Sequence, residues 1–194
     1  MANTNAPFGF KPVGYFNGTP WDGKANVYYA PTTSATALYV GDLVTMAGSG
    51  STDGCYPDIQ ASAASDITIV GVAIGFGTTP NLMADPANLG QKYRPASTAM
   101  YVLVVDDPNV IFEAQEDGAL AVSAIGNNID FVATAGSSTT GRSAMVLDSD
   151  VIDPSTVYPL RLLRLANRPG NALGTYARWL VMINGHIYRT TAGS

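Results

Sequence analysis

Apolar residues along this chain come in short runs set between turn-forming residues, the pattern of β-strands joined by loops rather than of long helices. The first clear runs are 27–30, 37–40 and, after Gly41-Asp42, 43–46. Residues 66–76 (DITIVGVAIGF) are apolar at both parities, which predicts a strand buried on both faces or bent at its glycines. The runs 99–105 (AMYVLVV) and 110–115 (VIFEAQ) flank Asp106-Asp107-Pro108-Asn109, and together they predict a β-hairpin. Further strands are predicted at 130–133, 143–147, 160–165 and 179–183, with one helical turn around 123–125. Segments 48–54, 78–95, 136–141 and 167–174, rich in Gly, Pro, Ser and Thr, read as loops. Roughly eight to ten short strands at this spacing predict an all-β sandwich or barrel with little helix.

The first 25 residues break the pattern. Pro7, Gly9, Pro12, Gly14, Gly18, Pro20 and Gly23 prevent regular helix, yet Phe8, Phe10, Tyr15, Phe16 and Trp21 stand between them. Disordered tails are usually poor in aromatics. The segment is therefore read as an extended N-terminal arm ahead of a single β-rich domain at 26–194. Two fates are open to it: packing on its own domain, or docking Phe8, Phe10, Tyr15 and Trp21 on a neighbouring subunit.

Composition sharpens the β reading. Of 194 residues only 13% are charged, about half the usual share, while the mean hydropathy is a modest +0.12 because small residues fill the gap. Glu occurs only at 113 and 116 and Lys only at 11, 24 and 92, so the residues that favour exposed helix faces are nearly missing. A net charge of −5 argues against a nucleic-acid partner, which needs a basic face. No apolar stretch approaches the ~20 residues of a membrane span, and the opening MANTNAPFGF lacks the basic and apolar regions of a secretory signal. A cytoplasmic origin without membrane contact is expected. The low-charge, small-residue surface suits contact with other protein.

Candidate chemistry is sparse. His186 is the one histidine and follows the last strong strand in a turn, and Cys55 is the one cysteine, also in a turn; the first is read as a structural or surface histidine and the second as a small hydrophobe. Gly141-Arg142-Ser143-Ala144-Met145 departs from a nucleophile elbow at its last position. Asp148, Asp150 and Asp153 lack the glycine and terminal Glu of a calcium loop and read as a solvated turn. Gly71, Gly75 and Gly77 have the wrong spacing for a phosphate loop. Arg161 and Arg164 are three residues apart, so on a regular strand they face opposite sides and form no common patch. No catalytic residue, cofactor or metal is expected.

The stretch 100–118, MYVLVVDDPNVIFEAQEDG, resembles a family of small structural proteins encoded beside the major capsid protein in tailed bacteriophages, the head decoration or capsid cement proteins. The opening APFGFKPV, the run Ser138-Thr139-Thr140-Gly141-Arg142-Ser143 and the closing segment 179–184 with its Asn-Gly-His tail fit the same resemblance. Gly185 departs from it, standing where the pattern has a bulkier polar residue. The resemblance implies a β-rich homotrimer on the outer capsid surface of a virion, made in the bacterial cytoplasm, with the major capsid protein as partner. Phe8, Phe10, Tyr15 and Trp21 are then expected as arm anchors, and Asp106, Asp107, Pro108 and Asn109 as a subunit or capsid contact. The competing expectations are another virion part (tail or neck), a carbohydrate-binding β-sandwich using Trp21 or Trp179, and, third, an enzyme.

Overall fold

The computed structural model describes residues 3–64, 66–82, 85–88 and 90–189. The chain is all-β, and its only helices among the described residues are single 3₁₀ turns. The strands are β1 (Lys11–Tyr15), β2 (Asn26–Ala30), β3 (Leu38–Tyr39), β4 (Leu43–Gly50), β5 (Pro57–Ala61), β6 (Gly71–Gly77) and β7 (Tyr93–Arg94). They continue with β8 (Met100–Val105), β9 (Val110–Gln115), β10 (Asn128–Val132), β11 (Val146–Asp153), β12 (Leu160–Leu165) and β13 (Arg178–Ile183).

β3 and β7 pair as a separate two-stranded sheet, and the other eleven strands make two bodies. One is a six-stranded antiparallel sheet ordered β1-β9-β13-β12-β10-β11; the other is a closed five-stranded barrel, β2-β5-β4-β6-β8. Tyr28, Val44, Ile59, Val70, Ala73, Val102 and Val104 fill the barrel interior. Leu43, Val72 and Val105, next to these in sequence, point the other way and pack with Phe112, Phe131, Leu160, Trp179 and Val181 of the sheet. This explains why strands such as 66–76 and 99–105 are apolar at both parities: one face lines the barrel and the other meets the sheet. Close approach demands Gly71, where a Cβ would stand 2.1 Å from the carbonyl oxygen of Val105.

The predicted hairpin across 106–109 is not formed. β8 pairs with β2 and β6 inside the barrel, whereas β9 pairs with β1 and β13 in the sheet. Both strands have their hydrogen-bonding sides taken by other partners, so the Asp106–Asn109 turn carries the chain from one body to the other. A tight hairpin favours Asn-Gly or Asp-Gly at its centre; Asp107-Pro108 lacks that chemistry, and this is the signal that distinguishes a sheet-switching turn.

Two predicted turns are also different. Asp148-Ser149-Asp150 does not end a strand but lies within β11 as a bulge: Phe131 pairs with Leu147 and Ile129 with Ile152, so four residues stand opposite Asp130. The loop at 78–95 contains a 3₁₀ turn, Pro86–Asn88, and the short β7. In the second of these, the guanidinium of Arg94 is fully buried and donates to the carbonyl oxygens of Pro31, Ser34, Thr36 and Thr98, tying down the loop after β2.

The N-terminal run is extended, and its described part lies against its own domain. Asn3 bonds the backbone at 172 and 175, Gln115 holds the backbone of Thr4 and Ala6, and the Phe10 amide donates to Gly41. β1 then joins the sheet edge, and the chain folds back so that Gly14 bridges Pro20.

Candidate functional site

The sequence-selected contact residues separate into three places. Phe10 is 1% exposed and meets Phe131 edge-on at 6.5 Å, so it belongs to the core. Phe8 lies apart from the others, beneath the guanidinium of Arg178 at 4.9 Å. Tyr15, Asp107 and Asn109 do come together, around a groove of about 560 Å³ at the end of the molecule where β8 passes to β9. Trp21 packs against the core nearby and donates its indole N–H to the Lys24 carbonyl. Pro108 sits within the same turn.

This end is held by polar bonds. Asp107 Oδ1 accepts from the backbone and side-chain amides of Asn109 at 2.8 and 3.0 Å, a local turn that Asp favours. The Phe16 amide donates to the Asn109 carbonyl at 2.8 Å, pinning the N-terminal hairpin to the turn. Asp106 accepts from Asn26 and, at 2.7 Å, from the buried Tyr28 hydroxyl, which itself accepts from Tyr188. Burial and these hydrogen bonds push the Tyr28 phenol well above its ordinary range. Tyr15 is pushed up to about 12, chiefly by donating to Asp22, whose carboxyl the Lys24 ammonium lowers to about 2. On this braced scaffold Phe16 stands 65% exposed and Tyr188 55%. The exposed Phe16 was not singled out as an anchor from sequence; its place at the tip of a hairpin is set by Gly14, Gly18 and Pro20, a signal present but unranked.

His186 is fully buried rather than at the surface. Its Nδ1 accepts from the Tyr188 amide at 3.2 Å, and burial lowers its pKa against the opposing pull of the Asp106 backbone. A Cβ at Gly185 would stand 1.9 Å from the Ile67 carbonyl oxygen, so the bulkier residue of the resemblance has no space here. Cys55 is exposed and free, which corrects its reading as a small packed hydrophobe. Trp179 is buried, which leaves it no face for sugar stacking.

A second surface is the outer face of the six-stranded sheet. Arg161 pairs with Met182 and Arg164 with Leu180, two positions apart on β13, because the register shifts between Leu162 and Arg164. The bulge turns both arginines to one side, correcting the expectation of opposite faces. Lys11, Glu113, Leu180 and Arg164 form one cross-strand row, and Ile111, Met182 and Arg161 the next. Glu113 binds Arg168 and stands 3.7 Å from Arg178. Among the described residues, no group of three or more His, Cys, Asp or Glu is placed to hold a metal ion, and no helix is long and apolar enough to cross a membrane.

Comparison with protein-family models, with curated proteins and with solved structures finds no match for this chain.

Proposed function

We propose that this chain is a structural component of a tailed-phage head, a decoration or cement protein. It binds the outer surface of the assembled shell as a homotrimer and stabilises the lattice of the major capsid protein. It acts by adhesion and transforms no substrate.

The reading rests on the resemblance of 100–118, and the observation that carries it furthest is the placing of Phe16. An aromatic side chain 65% exposed on a hairpin that is hydrogen-bonded to the Asp107–Asn109 turn is a rigid anchor with a polar rim. Such anchors dominate binding energy when a partner covers them, and a rigid one loses little entropy on docking. Repetition over a symmetric shell multiplies a modest contact into stable attachment. The low charge of the chain favours a broad protein contact, since few ions need to be desolvated.

The test is co-sedimentation with shells built from a tailed-phage major capsid protein, the proposed partner. Phe16→Ser, at an exposed position, should leave the fold intact and weaken binding at least about tenfold. A Phe16→Ser protein that decorates shells as tightly as the wild type would overturn the placing of the contact.

A further inference from the structure

The outer face of the sheet is divided by charge. Lys11 on β1, Arg161 and Arg164 on β12, Arg168 in the β12–β13 connection and Arg178 on β13 are five of the chain's ten basic residues, with Glu113 the one acid among them. At the opposite edge, Asp130 on β10 and Asp148, Asp150 and Asp153 on β11 carry only negative charge. Asp153 shares a cross-strand row with Asn128 and Arg161, which sets it on the same face as the arginines. Asp130 lies between the core residues Ile129 and Phe131, so it also faces outward; burial, with Asp148 beside it, raises its pKa. Between the two halves, Ile111, Leu180 and Met182 are half-buried apolar side chains.

The β11 aspartates and the β12 arginines do not neutralise each other within one chain. β12 and β11 are two strand spacings apart, about 10 Å, which exceeds the ~8 Å screening length of physiological salt. Arg164, Lys11 and Asp150 are exposed and make no side-chain hydrogen bond or ion pair among the described residues. The β11 edge itself is unsuited to adding a strand, because its four-residue bulge and its aspartates interrupt the ladder. What it presents is an acidic ridge, and the cationic rows across β1, β9, β13 and β12 are its complement.

We infer that the occupant of this face is a second copy of the chain, docked head to tail, with the acidic β11 ridge of one copy on the arginine rows of the next. The inference rests on the homo-oligomeric part of the reading above and adds the surfaces that meet. A head-to-tail contact uses two different patches, so it is satisfied throughout only when the copies close into a ring. The apolar strip of Ile111, Leu180 and Met182 is covered in the same contact. Charge complementarity of this kind fixes register and orientation.

Sedimentation equilibrium of the full chain tests it. The wild type should self-associate, and the association should weaken at least about tenfold between 0.1 and 1 M NaCl as the screening length shrinks from ~10 to ~3 Å. Arg164→Glu and Asp150→Lys should each weaken it at least about tenfold, by setting like charges opposite one another. Neither side chain has a partner among the described residues, so circular dichroism should show both variants folded. Mixed in equal amounts, the two should associate more strongly than either alone. A monomeric wild type at low salt, or variants that assemble as the wild type does, would overturn the inference. Shell binding is read separately: self-association of this kind without shell binding removes the phage reading and keeps this one, and a monomer that coats shells does the reverse.

Discussion

The indole nitrogen of Trp179 donates to Oε2 of Glu116 at 3.1 Å, joining the largest buried side chain of the sheet to a carboxylate with no exposed surface. Glu116 also accepts from the amides of Leu120 at 2.7 Å and Ala177 at 3.1 Å. Three buried donors therefore converge on one acid at the end of β9. Burial raises its pKa while the three donors hold it down. Glu116→Ala orphans all three and should cost roughly 3–5 kcal/mol, measured by denaturant unfolding. Glu116→Gln keeps one oxygen but sets an amide donor against a donor, and should cost about 1–3 kcal/mol. Equal stability of the alanine variant and the wild type would contradict this account of the core.

Asp42 gives a pH signature of opposite sign to the usual carboxylate. Burial pushes it up to about 6, over the opposing pull of the Ser143 hydroxyl and of the Tyr39 amide, which donates to Oδ2 at 2.8 Å. In the unfolded chain it titrates near 3.9. Between these values the folded state binds the proton more tightly, so the Asp42 contribution to stability rises as pH falls from about 6 to about 4. Two units correspond to about 3 kcal/mol. Asp42→Asn should be the more stable protein at pH 7 by up to that amount, and the difference should shrink as pH falls to 4. A difference constant across that range would be inconsistent with a buried ionised Asp42.

Gly185 and His186 make a linked prediction. The Ile69 amide donates to the Gly185 carbonyl at 2.7 Å and the Ile187 amide to the Ile69 carbonyl at 3.0 Å, so this segment lies flush against the chain at 67–69. Gly185→Ala drives a Cβ into the Ile67 carbonyl and should destabilise by about 1–3 kcal/mol. The His186 imidazole, held neutral by burial, should titrate below 6.5 by NMR, and its contribution to stability is lost as pH falls below that value. In Gly185→Ala its titration should move back toward 6.5. An unchanged midpoint would mean that the glycine does not set the burial of the histidine.

Deleting residues 1–20 removes more than an arm. Phe10 leaves the core, the sheet loses β1, and Gln115 loses the backbone of Thr4 and Ala6. The truncated chain should lose its cooperative thermal transition, whereas Phe8→Ala, which removes only the stacking under Arg178, should shift stability by less than about 1.5 kcal/mol. A truncated chain as stable as the full one would show that the N-terminal run contributes nothing to the fold.

The strands that can be read from sequence are those whose burial is set by their own side chains. The expected 160–165 coincides with β12, and 99–105 and 110–115 fall within a residue of β8 and β9. What failed was pairing. Hydrogen-bonding partners are chosen by the whole sheet, and the one local sign that 106–109 bridges two bodies is that Asp107-Pro108 lacks the Asn-Gly or Asp-Gly centre of a tight hairpin. β1 was hidden by Pro12 and Gly14, which are tolerated because it is an edge strand with a register shift between them. The common face of Arg161 and Arg164 was hidden for a related reason: one bulged residue reverses side-chain parity, and nothing in LRLLRL announces it. Of the contact residues, the convergence of Tyr15 with Asp107 and Asn109 depends on β1 pairing with β9, 95 to 102 positions away in the chain, which local pattern does not encode.

The most direct measurement is a binding isotherm of the wild-type chain on purified, undecorated shells of a tailed-phage major capsid protein, the proposed partner, read by sedimentation. The account predicts saturable attachment at a fixed ratio of chains to capsid subunits, with the shells dissociating at a higher temperature once coated. A chain that stays in the supernatant at every concentration, leaving shell stability unchanged, would contradict it.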